Sequence, residues 1–304
     1  MSTETRAQGA PLGGASRIHD IGYRSYDGPR LGRAYARRSL YTQSLKGAFG
    51  LGRSAKSKVL PMLLLAVMCL VAAILVAVSM AAPGATKLVV KYTSFAIFLQ
   101  AVIGLFVAAQ APQSVSRDLR FRTVPLYFSR PIAHADYVVA KLAAMASALF
   151  ILTGAPLLIL YVGSLLAKFD FGDQTGWFAQ GLVSVALLSV LFAALALVVA
   201  AITPRRGFGV AAVIAVLTIS YGAVSTVQAI AYSTGSGGAI PWFGLFSPIT
   251  LIDGVQTAFL GASSAFPGAE GPGAAMGVVY LFVVLALVAG SYAALLRRYR
   301  RVGL

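Results

Sequence analysis

Six stretches of this chain are apolar and nearly free of charge for about twenty residues or more. No other feature constrains the fold so strongly. As an α-helix, a stretch of that length rises about 30 Å, the thickness of a bilayer's hydrocarbon core. The runs cover about 59–82, 92–111, 138–166, 177–202, 208–232 and 274–296. Of all Asp, Glu, Lys, Arg and His residues, only Lys141 falls inside them. Charged residues make up 11% of the 304-residue chain and hydrophobic ones 58%, where a soluble protein carries about a quarter charged. A core of buried soluble helices leaves little room for so many such runs. The expected fold is all-α: a polytopic membrane protein with six transmembrane helices.

The formal net charge is +16. A charge of this size suggests nucleic acid when read alone. Its distribution argues instead for membrane lipids as partner and against nucleic acid. Eleven Lys and Arg precede the first run, five lie within 117–141, Arg205 and Arg206 separate the fourth run from the fifth, and four close the chain. Only Lys87, Lys91 and Lys168 lie on the other set of connections. Basic residues flanking spans collect on the cytoplasmic side, and anionic headgroups attract them there. The pattern predicts a plasma-membrane protein with both N-terminus and C-terminus cytoplasmic.

The expected organisation is a cytoplasmic, largely disordered tail over 1–29, an amphipathic interfacial helix and basic linker over 30–58, the six spans over 59–296, and a basic cytoplasmic tail over 297–304. The first 58 residues are polar and basic, and the first apolar run is too long for a signal-peptide core, so no cleaved leader is expected. In 30–49, Leu31, Ala34, Tyr41, Leu45 and Ala48 or Phe49 recur at helical spacing, while Arg30, Arg33, Arg37 and Lys46 lie largely elsewhere. Such a helix lies in the inner membrane interface, the alternative being a solvated basic helix. Residues 240–262 are apolar enough to suggest a seventh span. They carry Pro241, Pro248, Asp253 and Gly254, and an odd count would send the Arg tail outside. Short helices on the outer face or a re-entrant hairpin buried in protein are the two expectations.

Sites of chemistry are scarce. Residues 50–57, GLGRSAKS, fall one glycine short of a phosphate-binding loop. A true one follows a strand and opens a soluble helix, whereas this one follows an amphipathic helix and leads into a span. Cys69 is the sole cysteine, and His19 and His134 are far apart, so no metal-ligand spacing is present. No nucleophile–base pair or carboxylate pair falls in the spans. The chain reads as no enzyme and as having no metal or cofactor of its own.

The connection between the second and third runs, residues 111–141, is the segment richest in function. Arg117, Asp118, Arg120 and Arg122 lead out of the second run. Thr123 suits an N-cap with Pro125 in the first turn, and a short helix with Val124, Leu126, Tyr127 and Phe128 follows until Pro131. Exposed aromatic side chains on a cytoplasmic loop seek a partner protein. The alternative is that they pack on this chain's own inner face or dip into headgroups.

From Ser116-Arg117-Asp118, through Thr123-Val124-Pro125-Leu126-Tyr127-Phe128-Ser129-Arg130-Pro131-Ile132, to Asp136-Tyr137-Val138 and Lys141, the segment resembles the cytoplasmic loop of permease subunits of the second ABC-exporter class. Tyr23 to Arg30 resembles the N-terminal stretch of actinobacterial-type members. Arg122 stands where that family usually has glycine. The resemblance implies a six-span permease paired with a second copy or a related permease. A separate cytoplasmic ATPase would carry ATP and Mg and seat the short helix. Arg117, Asp118, Thr123, Leu126, Tyr127, Phe128, Ser129 and Arg130 would then contact that ATPase.

For a path through the membrane, the fifth run offers Thr218, Tyr221, Ser225, Gln228 and Tyr232 on one helix face, and the second run offers Gln100. These residues either line a pathway or join helices as polar glue. The Gly273–Gly277 pair hints at close helix packing. Two other functions compete with the permease. An ion-coupled carrier would require an ionisable intramembrane site, and a non-transporting membrane scaffold would have the polar face packed against protein.

Overall fold

The computed structural model describes residues 28, 31–83, 86–115, 132–203, 206–269 and 271–302. Among them the regular structure is helical, with no strand. Helix α1 spans Arg33–Ala48, α2 Ala55–Ala81, α3 Tyr92–Phe98, α4 Gln100–Ser114, α5 His134–Leu166 and α6 Phe171–Ile202. Then come α7 (Arg206–Ile214), a π-helical turn (Ala215–Ile219), α8 (Ser220–Ser233), α9 (Ile240–Gly244), α10 (Pro248–Phe259) and α11 (Ala274–Val302). All lie within one compact unit, Gly32–Leu304.

Five helices are long and apolar enough to cross a membrane: α2, α5, α6, the continuous helix Gly207–Ser233 and α11. Two bent pairs bring the number to at most seven: α3 with α4 at 61°, and Gly237–Gly244 with α10 at 116°. The protein is therefore a helical membrane protein, with helix as the sole regular structure among the described residues. Whole helix faces carry exposed large side chains, among them Leu63, Leu70, Ile74 and Val78 on α2 and Val278, Phe282 and Leu285 on α11. Such surfaces suit lipid rather than water.

Helix α6 is central. Helices α3, α4, α5, α7, α10 and α11 all pack on it. Its buried face mixes Leu188, Leu191, Phe192 and Leu197 with Ala193, Ala196 and Ala200, and the small residues let neighbouring helices come close. The turn from α5 to α6 has a left-handed residue, Lys168 at φ 62°. The Phe169 amide donates to Ser164 O at 3.1 Å and the Lys168 amide to Leu165 O at 3.0 Å, closing the carbonyl end of α5. Asp170 then caps α6 by accepting from the Asp173 amide at 2.9 Å, as Asp does at helix starts.

The second apolar run is not one straight helix. It breaks at Leu99, and all of Tyr92–Ile97 is buried. The Tyr92 hydroxyl lies 3.0 Å from Ser164 Oγ and donates to Gln174 Oε1 at 2.8 Å. A Cβ on Gly181 would sit 2.7 Å from Tyr92 Cβ. The missing side chain thus lets α3 lie close on α6, at an angle α4 does not share.

Helix α1 covers most of the expected 30–49 but shows a different inner face. Leu40, Ala48 and Phe49 are buried, with Tyr41 and Leu45 packed beside them. Leu31 and Ala34 are exposed. Leu31 precedes the extended cap at Gly32, so it does not follow the helical period. The helix runs alongside α5: Arg33 pairs with Asp136, and about three turns further along α5 the Tyr41 hydroxyl donates to Ser147 Oγ at 2.9 Å. The Phe49 ring meets Phe106 of α4 at 5.8 Å. Between α1 and α2 the chain turns at Gly50, φ 68°, where a Cβ would lie 2.4 Å from Ser57 O. The GLGRSAKS segment therefore follows a helix, as its sequence context indicated.

Candidate functional site

Two groups of polar side chains stand out from the apolar packing. The first closes the base of the 116–131 connection. Its expected partner contacts, Arg117, Asp118, Thr123, Leu126, Tyr127, Phe128, Ser129 and Arg130, lie outside the described residues. Their flanks do not. On the near side α4 ends at Ser114, followed by buried Val115. On the far side Asp136, Tyr137, Val138 and Lys141 are all buried at the start of α5.

Three of those four residues, Asp136, Tyr137 and Lys141, make specific contacts at the base. Lys141 Nζ donates to the Ser114 carbonyl at 2.9 Å and stands 5.5 Å from the Tyr137 ring centroid. A cation at the carbonyl end of a helix satisfies an orphan acceptor and meets the negative end of the helix dipole. Lys141, the one charged residue within the apolar runs, is buried here and ties α5 to α4. The Tyr137 ring packs on Tyr299 of α11 at 4.8 Å. Asp136 accepts from the Ala133 amide at 3.2 Å and pairs with Arg33, and Arg37 Nη1 comes to 3.9 Å of its other oxygen. Arg53 Nη1 donates to Gln113 Oε1 at 3.1 Å. Helices α1, α4, α5 and α11 are thereby joined where the connection leaves and returns.

The second group surrounds the two short helices of 237–259. As the sequence indicated, this segment is no straight span. Pro248 through Gln256 are all buried, and α10 packs against α11 and α6. Proline sits at the start of both α9 and α10, where it needs no amide partner. Thr250 Oγ1 donates to the carbonyls of Gly244 and Ser247, and Tyr280 of α11 donates its hydroxyl to the Pro241 carbonyl. Close approach to Tyr280 requires two glycines. A Cβ on Gly244 would lie 2.1 Å from Tyr280 Oη, and one on Gly254 2.5 Å from its ring. Gly277 also closes this contact, since a Cβ there would meet Ala258 Cβ at 2.3 Å, whereas Gly273 faces open space.

Asp253 lies at the centre of this hairpin, with 2% of its surface exposed. Its Oδ1 accepts from Gln256 Nε2 at 2.9 Å and its Oδ2 from the Ala265 amide at 2.9 Å. Ser184 Oγ of α6 donates to Gln256 Oε1 at 2.6 Å. A buried carboxylate is stable only when such bonds replace water. Sequence reasoning used Asp253 only as a reason against a seventh span. The visible signal was a lone acid between buried Leu and Val positions, and its partner Gln256 stands one helical turn away.

The candidate pathway residues divide. Tyr221, Ser225 and Gln228 do converge, on a cavity of about 10 Å³ shared with Ile97, Thr250 and Asp253. That is room for about one water, not for a cargo. Gln228 Nε2 is committed to the Ile240 carbonyl at 3.0 Å, so it joins α8 to the hairpin. Thr218 lies in the π-helical turn and faces α4, where a Cβ on Gly104 would be 3.1 Å from its Oγ1. Gln100 follows the break at Leu99, and its Oε1 is buried without a partner among the described residues. Neither Gln100 nor Thr218 lines the cavity. Tyr232 is exposed, against Gly268.

No protein-family model matches the chain, and a search of curated proteins finds no significant match.

Proposed function

We propose that this chain is the permease subunit of an ATP-driven ABC transporter of the second exporter class. It crosses the plasma membrane six times with both termini cytoplasmic. The bent pair α3–α4 serves as one span, and the hairpin of α9 and α10 enters the membrane from the outside and returns. Paired with a second copy or a related permease, it forms half of a translocation pathway. A separate cytoplasmic ATPase binds ATP and Mg, and the 117–131 connection seats in it.

The observation that carries this reading is the braced base of that connection. A loop that transmits the motion of another protein needs rigid ends, so that a push on the loop moves helices rather than being absorbed. Lys141 on Ser114 O, Arg33 on Asp136 and Tyr137 on Tyr299 supply that rigidity across four helices. Movement of such a packed unit as one body is how a closing partner biases inward- and outward-facing states. The test is replacement of Tyr127 and Phe128 by Ala. ATPase attachment then weakens while the spans stay inserted. Co-purification of an ATPase at unchanged yield would place the coupling surface elsewhere.

One observation favours an ion-coupled carrier as a second reading. Asp253 supplies an ionisable group in the protein interior, beside a cavity of water size, and such residues mark ion paths. Under the permease reading Asp253 holds the hairpin, and Asp253→Asn lowers stability but leaves transport tied to ATP. Flux that runs on a proton or sodium gradient without any ATPase, and stops in Asp253→Asn protein of normal stability, would select the carrier.

A further inference from the structure

A cavity of about 470 Å³ opens between the α2–α3 connection, α3, the first turns of α6 and the segment after α10. It has no part in either group described above. Among the described residues its lining holds two ammonium groups, Lys87 and Lys91, and no carboxylate. Lys87 Nζ stands 5.3 Å from the Trp177 ring centroid, and Lys91 Nζ donates to the Gly261 carbonyl at 3.2 Å. An ammonium has three donors, and the one hydrogen bond at Lys91 leaves donors for a ligand. Ser94 also lines the cavity and is 8% exposed, and its buried Oγ has no hydrogen-bond partner among the described residues. A buried hydroxyl without a partner is costly unless something from outside completes it. One wall is apolar and open, with Phe98 72% and Val89 61% exposed.

Its position along α6 is also informative. Trp177 is near the start of α6, and near its end Val198, Ala201 and Ile202 share a groove with Arg297, Arg298 and Arg301. From Trp177 to Ala201 the helix rises about 36 Å, slightly more than a hydrocarbon core. The cavity therefore lies across the membrane from the arginine-rich end.

We propose that this cavity binds an anionic amphiphile: a phosphate-type headgroup carrying a hydrocarbon chain. Lys87 and Lys91 hold the charge, Ser94 donates to one of its oxygens, and the chain leaves over Phe98 and Val89 into the surrounding lipid. An ammonium pair with a free hydroxyl matches a phosphate group, and an apolar exit matches a tail that a free phosphate lacks. The proposal rests on the chain being a membrane protein. It does not depend on the ATPase.

The test uses the purified full chain in neutral detergent, carrying Trp242→Phe so that Trp177 is the one remaining tryptophan. Its emission is followed during addition of dihexanoyl phosphatidic acid, dihexanoyl phosphatidylcholine or inorganic phosphate. The expected result is a shift with phosphatidic acid at a Kd about tenfold or more below that for phosphatidylcholine, and none with phosphate at the same concentration. Lys87→Gln with Lys91→Gln removes the preference, and Lys168→Gln keeps it. Ser94→Ala weakens phosphatidic acid binding without touching a charge. Equal affinity for the two lipids, or a preference that survives the paired lysine change, would overturn the proposal. Binding of phosphate alone as tightly as phosphatidic acid would also overturn it, by marking a small-anion site. Failure here leaves ATPase co-purification unaffected, so the two readings fail separately.

Discussion

Gly254→Ala tests how the hairpin is seated. The added methyl would lie 2.5, 2.6 and 3.0 Å from Cδ1, Cε1 and Cγ of Tyr280. Each distance is well inside the roughly 3.5–4.0 Å at which carbon atoms sit comfortably. The Tyr280 ring cannot easily yield, because it is fully buried and its hydroxyl is bonded to the Pro241 carbonyl. Overpacking of this kind costs about 1–3 kcal/mol. At about 2–4 °C per kcal/mol for chains of a few hundred residues, the melting point falls by roughly 2–12 °C. Cys69, the sole cysteine, is partly buried on α2, so a thiol-reactive dye reports unfolding of the detergent-solubilised protein without any added label. Tyr280→Leu in the same chain removes the ring that the methyl strikes. The combined variant should therefore be more stable than the sum of the two single changes predicts, by about 0.5–3 kcal/mol. Unchanged melting in Gly254→Ala, or strictly additive effects, would refute the close seating of α10 on α11.

Two other changes probe the packing elsewhere. Asp136→Ala should lower the melting point more than Arg33→Ala. It removes the acceptor used by Arg33, Arg37 and the Ala133 amide together, whereas Arg33→Ala removes one exposed partner; the reverse order in a thermal melt contradicts this. Lys168→Gly relieves a left-handed residue at φ 62° and should raise stability by about 1 kcal/mol, and a lower melting point would show that the lysine side chain matters more than its backbone.

The helical membrane class was legible because hydrocarbon imposes a length and excludes charge, and both are properties of a single run. Helix α5 begins at His134, α6 at Phe171, and α11 continues through the arginines to Val302. Each outruns its apolar run because a helix does not end where lipid does. The break at Leu99 was hidden, since no proline or glycine marks it. It follows from Tyr92 reaching Ser164 and Gln174, residues 72 and 82 positions away. Long-range seating was equally invisible. Nothing in the sequence marks Gly244 and Gly254 as the positions that meet Tyr280, and Asp253 counts only against a seventh span until Gln256 and the Ala265 amide surround it. Three of the five polar positions on the fifth run form a cluster, because 221, 225 and 228 share a helix face and the hairpin meets that face. Thr218 belongs to the π-helical turn, which changes the helical phase that spacing assumes.

The central proposal is that this chain works through a separate ATPase. The most direct measurement is affinity purification of the chain from its native membrane in mild detergent, with identification of the bound proteins. The account predicts recovery of a cytoplasmic protein with an intact phosphate-binding loop in about equal amount. Recovery of the chain alone under several detergents, with no ATPase, would contradict it and leave the carrier or the scaffold as the better account.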